Sequence, residues 1–467
     1  MASLKNPNII IVVIDAGRPD YFSCYGYPKT TTPNIDKLAR EGALFENVIS
    51  TAPWTIPSHG SMFTGLYSCQ HKATWETLRL KEGIPTIFDI FTERGYDAAA
   101  VSANSLIVSP YSMFGNKTKI LGPLVCNEPD VSSFAGDFDY KKTSSQSIAD
   151  YFIEHVGQMR QDKPQIIYLN FYDLHAKYKA REPFYSRYVN EENNKILEAC
   201  GDFYALHFQE MNDEIEISAG MVSALRASYA ARLAMIDEDL GRVIEKLKGR
   251  GFLDNSIVVI TSDHGDVLGD HKKPSFHHQF SIYNSLLHIP LIFCCNAIAL
   301  PKKISVPLIQ NVDILPTILE LCGITNLPAL NNSPGVSLVK YILDSDYNVV
   351  PRKYAVSTYE SPLRFIMRNK KKVNPDYLKN LMAIQDEEYK LVFSDDASPE
   401  LYYIREDKSE KNNIADKLPQ KVIELKKAFY EIMEKYSAPI GDKDSVGNNA
   451  HNEELMVQKL RSLGYIE

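Results

Sequence analysis

The chain is organised around the stretch Ala52–Gly65, which reads Ala-Pro-Trp-Thr-Ile-Pro-Ser-His-Gly-Ser-Met-Phe-Thr-Gly. This pattern predicts a strand-to-helix turn, because Pro57 suits the first turn of a helix, where its missing N–H group has no partner to lose. The backbone N–H groups of such a turn point at whatever occupies it, and Thr55 is expected there as a small, exposed hydroxyl. The turn is therefore a candidate anion site beside a candidate nucleophile. A Thr-x-Pro turn that only caps a helix is the simpler interpretation. The rest of the chain has to decide between a cap and a catalytic turn.

The composition indicates a folded protein without a general affinity for polyanions. The chain has 467 residues, enough for one large domain and a smaller unit, and hydrophobic residues make up 44% of it. A net charge of −8 provides no basic field for nucleic acid or for an anionic membrane, so neither is a predicted partner. An anionic substrate would need local compensation by a metal ion or by a few basic side chains.

The cysteines and the N-terminus favour a cytoplasmic protein. The seven cysteines are an odd number, are scattered, and lack any C-x-x-C spacing, so they are interpreted as reduced thiols. The N-terminal segment is short and polar, and the apolar run behind it extends only from Ile9 to Ile14. That run is too short for a signal peptide core or a membrane span.

Three short, apolar, β-branched runs have the pattern of strands buried on both faces of a parallel sheet. These runs are Asn8–Ile14, Gln165–Phe171 and Ser256–Thr261. Helical segments separate them, so the sequence predicts an α/β fold. In open α/β sheets ligands bind outside the carboxyl ends of the strands, and Asp15 stands at one such end. Taken alone, Asp15 is equally well interpreted as the cap of the turn that follows.

The third run leads directly into Asp263 and His264. A carboxylate oxygen beside an imidazole suits Zn²⁺ or Mn²⁺ better than Ca²⁺. His175 follows the end of the second run, and Asn104 follows a further short strand. Five of the 11 histidines lie between His264 and His288, although a histidine in a loop is more often simply solvated. The carboxyl ends of several strands therefore carry groups that bind metals or transfer protons.

Two regions depart from this alternation. Residues 180–217 are irregular, aromatic and charged, and we interpret them as an insertion that forms part of a lid or binding wall. Beyond residue 325, alternating segments predict a small antiparallel sheet followed by a helix at Pro419–Tyr436. The alternating segments are Tyr354–Tyr359, Arg364–Met367, Met382–Ile384 and Tyr389–Phe393. We predict a catalytic domain over residues 1–325 and a C-terminal subdomain over residues 326–467.

Taken together, these features resemble the sulfatase family of the alkaline phosphatase superfamily, and the resemblance spans nearly the whole chain. Beyond Asp15, the Thr55 turn and Asp263-His264-Gly265, it rests on ordered matches along the sequence. These are Thr32-Pro33-Asn34-Ile35-Asp36-Lys37-Leu38-Ala39, Thr64-Gly65-Leu66-Tyr67, Asp173-Leu174-His175, Leu268-Gly269-Asp270-His271, Ile289-Pro290-Leu291-Ile292, Asp313-Ile314-Leu315-Pro316-Thr317 and Glu400-Leu401-Tyr402-Tyr403. The resemblance implies an α/β sandwich around a large mixed, mostly parallel sheet, with a small C-terminal antiparallel sheet.

The resemblance also implies roles for individual residues. One divalent metal ion would be held by Asp15, Thr55, Asp263 and His264, with Mn²⁺ or Zn²⁺ favoured and Ca²⁺ or Mg²⁺ open as alternatives. Thr55 would be the nucleophile, and His175 and His278 would hold the substrate or protonate its leaving group. Three further residues are expected to bind the substrate, namely Asn104, His59 and His277. His277 stands beside His278 and is an alternative for its place in the register.

Two departures from the family pattern bear on the reaction. Typical sulfatases have Cys or Ser at the position of Thr55, which is oxidised to formylglycine, and Arg at the position of His59. Threonine cannot become an aldehyde of that type, and superfamily members with threonine here act on phosphorus. Most sulfatases also carry two adjacent acids where this chain has Asp15 and Ala16, which favours a single metal ion.

The leading hypothesis is a metal-dependent hydrolase that uses Thr55 in double displacement on a small anionic ester, a phosphate diester, phosphonate or sulfate ester. A true sulfatase without formylglycine and a transferase on the same site are the alternatives among enzymes. A catalytically inactive binding protein is the alternative from another class, and the intact site residues oppose it. The sequence leaves the oligomeric state open, with a homo-oligomer as one option.

Overall fold

The computed structural model describes residues 4–102, 104–108, 113–114, 118–120, 145–175, 179–201, 203–271, 275–278, 280–295, 302–343, 352–361 and 373–437. The strands in chain order are β1 (Asn8–Ile14), β2 (Ala43–Ile49), β3 (Asp97–Ser102), β4 (Lys119–Ile120), β5 (Gln165–Phe171), β6 (Ser256–Thr261), β7 (Val267–Leu268), β8 (Phe276–His277), β9 (His288–Cys294), β10 (Lys302–Ile304), β11 (Ile309–Gln310), β12 (Ala355–Tyr359), β13 (Leu381–Gln385), β14 (Tyr389–Phe393) and β15 (Glu400–Tyr403).

The helices are α1 (Pro33–Glu41), α2 (Thr55–Thr64), α3 (Ser68–His71), α4 (Ile87–Thr92), α5 (Ser105–Val108), α6 (Ser145–His155), α7 (Phe184–Tyr188), α8 (Glu191–Cys200), α9 (Phe203–Met211), α10 (Ala219–Gly249), α11 (Asn284–Leu287), α12 (Ile314–Leu321), α13 (Val339–Leu343) and α14 (Pro419–Ser437). Several short 3₁₀ turns connect them.

The large sheet has the strand order β10-β2-β9-β6-β1-β5-β3-β4, and β11 pairs with β2. Strand β1 lies at its centre and runs parallel to both β5 and β6, whereas β9 is antiparallel to its neighbours β6 and β2. The predicted large mixed, mostly parallel sheet is therefore confirmed. Because β1, β5 and β6 are parallel neighbours, their carboxyl ends lie at the same edge, where the candidate site residues follow them.

Both faces of the sheet are covered by helices, so its strands are apolar throughout. Along β1, Ile9, Ile11 and Val13 enter the core on one face, and Ile10, Val12 and Ile14 enter the core on the other. Helices α2, α4 and α12 contribute to the first core, and α1, α6, α7 and α10 contribute to the second. Helix α2, which begins at Thr55, is buried along its whole length, and its Phe63 ring packs against Tyr168 of β5.

The predicted C-terminal sheet is also confirmed. Strands β12, β13, β14 and β15 pair in this order, all antiparallel, and α14 packs against their core through Leu425 and Phe429. A buried ion pair, Lys390 with Glu410 at 2.5 Å, joins this sheet to the larger unit, since both residues also hydrogen-bond to Asn284. The predicted segment Arg364–Met367 lies outside the described residues, and the proposed division at residue 325 stays a prediction.

The interpretation of residues 180–217 as irregular is wrong, because the described part of this region forms the helices α7, α8 and α9. The start of α8 has an ordinary signal that the aromatic composition obscured. The Asn190 side chain accepts a hydrogen bond from the Asn193 N–H group, and Glu191 and Glu192 occupy the first turn. Among the described residues, no helix combines the length and the apolar character that crossing a bilayer requires.

Candidate active site and metal centre

Thr55 is the first residue of α2, as the sequence predicts, and Trp54 is its N-cap. The side chain is buried, at 3% exposure, so the expectation of an exposed turn residue is wrong. The reason lies in the loop after β6, which crosses over the turn. Its carbonyl oxygen at Asp263 accepts hydrogen bonds from the hydroxyls of Ser58, at 2.6 Å, and Ser50, at 2.7 Å. The nucleophile candidate is therefore held against the acidic loop by the polar residues beside it.

Two buried carboxylates lie at the carboxyl ends of β1 and β6. The Oδ2 atom of Asp15 accepts a hydrogen bond of 2.9 Å from the Asn104 amide, with the Asn170 amide at 3.5 Å. The Oδ1 atom of Asp263 accepts the backbone N–H groups of His264, at 2.9 Å, and of Ala16, at 3.2 Å. The remaining oxygens, Oδ1 of Asp15 and Oδ2 of Asp263, are buried and have no hydrogen-bond partner among the described residues. Each acid thus keeps one oxygen for another ligand.

His264 directs a nitrogen lone pair at these oxygens. Its Nδ1–H group donates to the Gly265 carbonyl at 2.7 Å, which leaves Nε2 as the acceptor atom of the neutral ring. That Nε2 atom lies 3.6 Å from Oδ1 of Asp15 and 3.4 Å from Oδ2 of Asp263. The Oγ1 atom of Thr55 lies 3.5 Å from the same nitrogen. Ligand atoms of Asp15, Asp263 and His264 all lie within 4.8 Å of one another.

This donor set fits a divalent cation. Burial, followed by the neighbouring Asp263, raises the pKa of Asp15 to about 8, and burial raises the pKa of Asp263 to about 7. Two carboxylates are costly to bury together without a positive charge, and a cation removes that cost. The unpartnered oxygens of Asp15 and Asp263 and the Nε2 lone pair of His264 are the candidate ligand atoms, and the Thr55 hydroxyl lies beside them. Hydrogen bonds from the other atoms of these side chains to the protein hold them in place, as is typical of metal sites.

His59 lies beneath Thr55 and is fully buried. Its Nδ1–H group donates to the Thr55 carbonyl oxygen at 2.9 Å, and its Nε2 atom accepts from the Tyr168 hydroxyl at 2.7 Å. Burial lowers the pKa of His59 to about 3, so the ring is neutral. Because both ring nitrogens are bonded within the protein, the residue is placed to orient the Thr55 turn. Its expected role as a substrate ligand stays a prediction that this geometry does not favour.

His175 and His278 lie beside the acidic cluster. The Nδ1–H group of His175 donates to the Tyr172 carbonyl at 2.9 Å, and its Nε2 atom lies 3.6 Å from Oδ1 of Asp15. The ring of His278 stacks on that of His264 with centroids 4.4 Å apart, and it meets the His175 ring edge-on at 4.9 Å. Burial and the surrounding histidines hold the pKa of His278 well below its usual range. The fold thus gathers imidazoles from the loops after β5 and β6 and around β8.

The other histidines of the cluster in the sequence divide between the site and the scaffold. His277 lies next to His278, with ring centroids 4.3 Å apart, and its Nδ1 atom accepts the His278 N–H group at 2.7 Å. His271 stacks on Tyr283 at 3.8 Å, and Nε2 of His288 donates to the Glu46 carbonyl at 2.7 Å. Only His264, His277 and His278 of the five therefore belong to the site.

The sequence analysis missed two residues that hold site residues in position, one next to Asp15 and one next to His175. Asn170, within β5, accepts the Ser102 hydroxyl at 2.8 Å and turns its amide toward Asp15. Arg232, a buried residue of α10, donates from Nη1 to the carbonyl oxygen of His175. An asparagine inside an otherwise apolar strand was a readable signal for Asn170. Arg232 gave no comparable signal, because arginine is ordinary in a long helix.

Comparison with known proteins identifies the family of this chain. A family model described as Sulfatase matches residues 7–324, about two thirds of the chain. The chain belongs to the sulfatase family. A second model, described as N-sulphoglucosamine sulphohydrolase, C-terminal, matches residues 270–437. The enzymes of this family hydrolyse esters and generally bind a divalent metal ion, and the cluster of Asp15, Asp263 and His264 is the candidate site for that ion.

Individual relatives are similar along nearly their whole length. The Multifunctional alkaline phosphatase superfamily protein PehA of Trinickia caryophylli is 24% identical over an alignment of 484 positions, gaps included. This alignment covers 88% of this chain and 92% of the relative. Arylsulfatase K of Gallus gallus is 24% identical over an alignment of 462 positions, which covers 92% of this chain and 83% of the relative. The phosphonate monoester hydrolase of Agrobacterium radiobacter has the same fold, with a TM-score of 0.70 and 20% sequence identity. The superposition covers 92% of this chain and 96% of the hydrolase. This sulfatase-family chain is therefore an ester hydrolase.

Proposed function

We propose that this protein hydrolyses small, singly charged anionic esters of phosphorus, phosphate diesters or phosphonate monoesters, by double displacement on unmodified Thr55. The observation that carries the proposal is the position of the Thr55 hydroxyl. Its Oγ1 atom lies 3.5 Å from Nε2 of His264, at a helix start and beside two buried carboxylate oxygens without hydrogen-bond partners among the described residues. A hydroxyl in this place is a nucleophile that can be activated without modification.

A divalent cation held at this site would supply the positive charge that the reaction needs. Asp15, Asp263 and His264 would hold the cation with Thr55 Oγ1 beside it. When bound, a divalent cation favours ionisation of the hydroxyl and offsets negative charge on a substrate oxygen. The backbone N–H groups at the start of α2 add partial positive charge at the same place. With a doubly charged cation and two carboxylates, the centre is neutral before substrate binds, which favours a substrate with a single negative charge.

The reaction then needs two proton transfers, one from an imidazole of this chain and one back to it. In the first displacement the ionised Oγ1 atom of Thr55, whose proton has passed to solvent, forms a bond to phosphorus, the ester bond breaks, and a protonated imidazole gives its proton to the leaving oxygen. His175 is the first candidate for this role, because a proton on its Nε2 atom would face the Asp15 carboxylate at 3.6 Å. In the second displacement water attacks phosphorus, the bond to Thr55 breaks, and the same imidazole takes the proton from water. His278, stacked on His264, is the second candidate for proton transfer.

A sulfate ester is the second candidate substrate, because the family model and a relative named Arylsulfatase K both point to it. Such a reaction would proceed without formylglycine, since threonine forms no aldehyde of that kind. A transferase that passes the group from Thr55 to an acceptor other than water would use the same first step. An ester on Thr55 can be hydrolysed only when water attacks its central phosphorus or sulfur atom, and superfamily members with threonine at this position act on phosphorus. The chemistry of Thr55 therefore favours a phosphorus substrate.

The test compares matched aryl esters on protein reconstituted with Mn²⁺ or Zn²⁺. We expect aryl phosphodiesters or phosphonates to have a higher kcat/KM than the aryl sulfate with the same leaving group. Protein quenched during turnover should carry a phosphoryl-type adduct on the peptide that contains Thr55. A kcat/KM for the sulfate ester that exceeds the others by orders of magnitude would overturn the preference for phosphorus.

A further inference from the structure

A second group of ligand atoms lies next to the metal centre and takes no part in it. Asp266, His277 and His278 each offer one ligand atom, and these three atoms lie within 4.8 Å of one another. Donor atoms around a tetrahedral zinc ion lie about 3.3 Å apart, so small side-chain rotations suffice to close the group. None of the three residues belongs to the cluster of Asp15, Asp263 and His264.

The backbone brings this second group together through two constraints. Strands β7 and β8 pair antiparallel with Val267 opposite His277, so the preceding residue, Asp266, comes opposite His278. On the other side, the loop of Asp266 is fixed by Arg18, whose Nη1 atom donates to the Asp266 carbonyl oxygen at 2.9 Å. A Cβ atom on Gly265 would lie 2.1 Å from the carbonyl oxygen of Ser285, so only glycine lets the loop pass here. The fold therefore places Asp266 beside His278, and His277, with a φ of 80°, departs from the regular alternation of the strand and completes the group.

The carboxylate of Asp266 has an unused ligand atom. The residue is buried at 4% exposure, and its Oδ1 atom has no hydrogen-bond partner among the described residues. Arg18 contacts the backbone of Asp266 and pairs with Asp20 and Asp270 instead of this carboxylate. A buried carboxylate oxygen without a partner is costly, and a bound cation would remove that cost.

We propose that Asp266, His277 and His278 form a second divalent cation site beside the first. Two imidazole nitrogens and one carboxylate are a donor set for Zn²⁺ or Mn²⁺, and they leave at least one position open for water or an anion. The site is the weaker of the two. A cation on Nδ1 of His277 would replace the hydrogen bond from the His278 N–H group, and the site has one carboxylate where the first has two.

Occupation of this site has a consequence for the reaction. His278 cannot bind a cation and carry a proton on the same nitrogen, so the second cation would remove one of the two proton-transfer candidates. Excess Zn²⁺ is therefore expected to inhibit, whereas the first equivalent activates. The site itself does not depend on which ester is cleaved, so metal counting tests it separately from the proposed function.

The experiment counts bound Zn²⁺ on chelator-treated, folded protein by calorimetric titration and by elemental analysis after desalting. Wild type should bind two equivalents with different affinities. Asp266→Asn and His277→Gln should each lose only the weaker equivalent, and Asp263→Asn should lose the stronger. The matched control is Asp173→Asn, which alters another buried carboxylate with a partnerless Oδ1 atom outside both groups and should keep both equivalents.

Each result decides the proposal. A single equivalent in saturated wild type would overturn it, and so would two equivalents in His277→Gln, a half-buried position whose replacement leaves the core intact. Loss of the weaker equivalent in Asp173→Asn as well would show a general effect of buried charge and would equally overturn it. Melting temperature and circular dichroism establish that each variant is folded. If Asp266→Asn does not fold, the metal count of His277→Gln decides the proposal.

Discussion

The Oγ1 atom of Thr55 and the Nε2 atom of His264 lie 3.5 Å apart, although 209 residues separate them in the chain. One residue begins a helix that packs on the sheet, and the other follows a central strand of that sheet. Their approach places a hydroxyl beside the candidate metal centre. The first prediction follows from this contact.

Replacement of Thr55 by Ala should remove nearly all hydrolysis and leave the metal content unchanged at saturating metal. The reason is that the variant lacks the only atom that forms the covalent intermediate, whereas Asp15, Asp263 and His264 remain. Thr55→Ser should retain part of the rate. The control is Thr64→Ala, a buried threonine at the other end of α2 whose hydroxyl donates to Gly60, and it should stay active. Wild-type rates in Thr55→Ala would identify water as the nucleophile.

Replacement of His175 by Ala should lower kcat by about 10²–10⁴ for esters with poor leaving groups, and by much less for nitrophenyl esters. A good leaving group departs as an anion and needs no proton, so only the poor one reports the general acid. A series of aryl esters of graded leaving-group pKa measures this. Equal losses across the series would make His175 a binding residue. His155→Ala, a histidine at the end of α6, serves as control.

The same series with His278→Ala separates the two histidines. If His278 takes part in the proton transfer, the His278→Ala variant should show a steeper dependence of kcat on leaving-group pKa than wild type. The His175→Ala variant is expected to show the same change. The flanking ring provides the comparison, because His277 is half-buried and its ring lies against that of His278, with centroids 4.3 Å apart and the planes tilted by 41°. A His278→Ala variant with an unchanged slope would assign proton transfer to His175 alone.

Metal-free protein should lose stability as pH rises. The folded-state pKa values of Asp15, about 8, and Asp263, about 7, lie above the ordinary value near 4, so the native state binds more protons than the unfolded state between these limits. The stability of the metal-free protein therefore falls as pH increases from about 4 and levels off above about 8. A bound cation keeps both carboxylates ionised and removes this slope.

The measurement is the melting temperature from about pH 6 to about pH 8.5, with and without metal. Burial also raises the pKa of Asp173 to about 6 and of Asp237 to about 7, and these contribute equally to both forms. The difference between the two curves is thus the informative quantity, and it should widen with pH. The double variant Asp15→Asn with Asp263→Asn should show a smaller difference, limited to the contribution of Asp266 in the second proposed site, whose pKa burial raises to about 7. Parallel curves in wild type would contradict the assignment.

Replacement of Lys390 by Met should lower the free energy of unfolding by about 3–5 kcal/mol, because it leaves the Glu410 carboxylate buried without its partner. The ion pair is almost completely buried at 2.5 Å, and Lys390 also donates to the Ile282 carbonyl at 3.1 Å. Adding Glu410→Gln should recover much of the loss, since the remaining amide carries no charge. Chemical denaturation of the two variants measures both effects. A single variant as stable as wild type would show that the pair does not join the two sheets.

Much of the site was predictable because local rules act on single segments. The apolar runs ending at Ile14 and Thr261 predict buried parallel strands, and the carboxyl-end rule then places Asp15 and Asp263 at one edge of the sheet. Pro57 predicts the helix start at Thr55. The small antiparallel sheet follows from strict alternation. The insertion was misjudged, because short helices of mixed composition show no clear period.

The sequence by itself thus determined the α/β class, the central strands, the helix start at Thr55 and the acids that follow the strands. Only the tertiary structure decided which side chains meet. The two bonds of His59, the support of Asp15 by Asn104 and Asn170, and the choice of His277 and His278 over His271 depend on strand register and on loop paths. Those contacts join residues far apart in the chain, and their energies arise from packing and burial, which no local propensity contains.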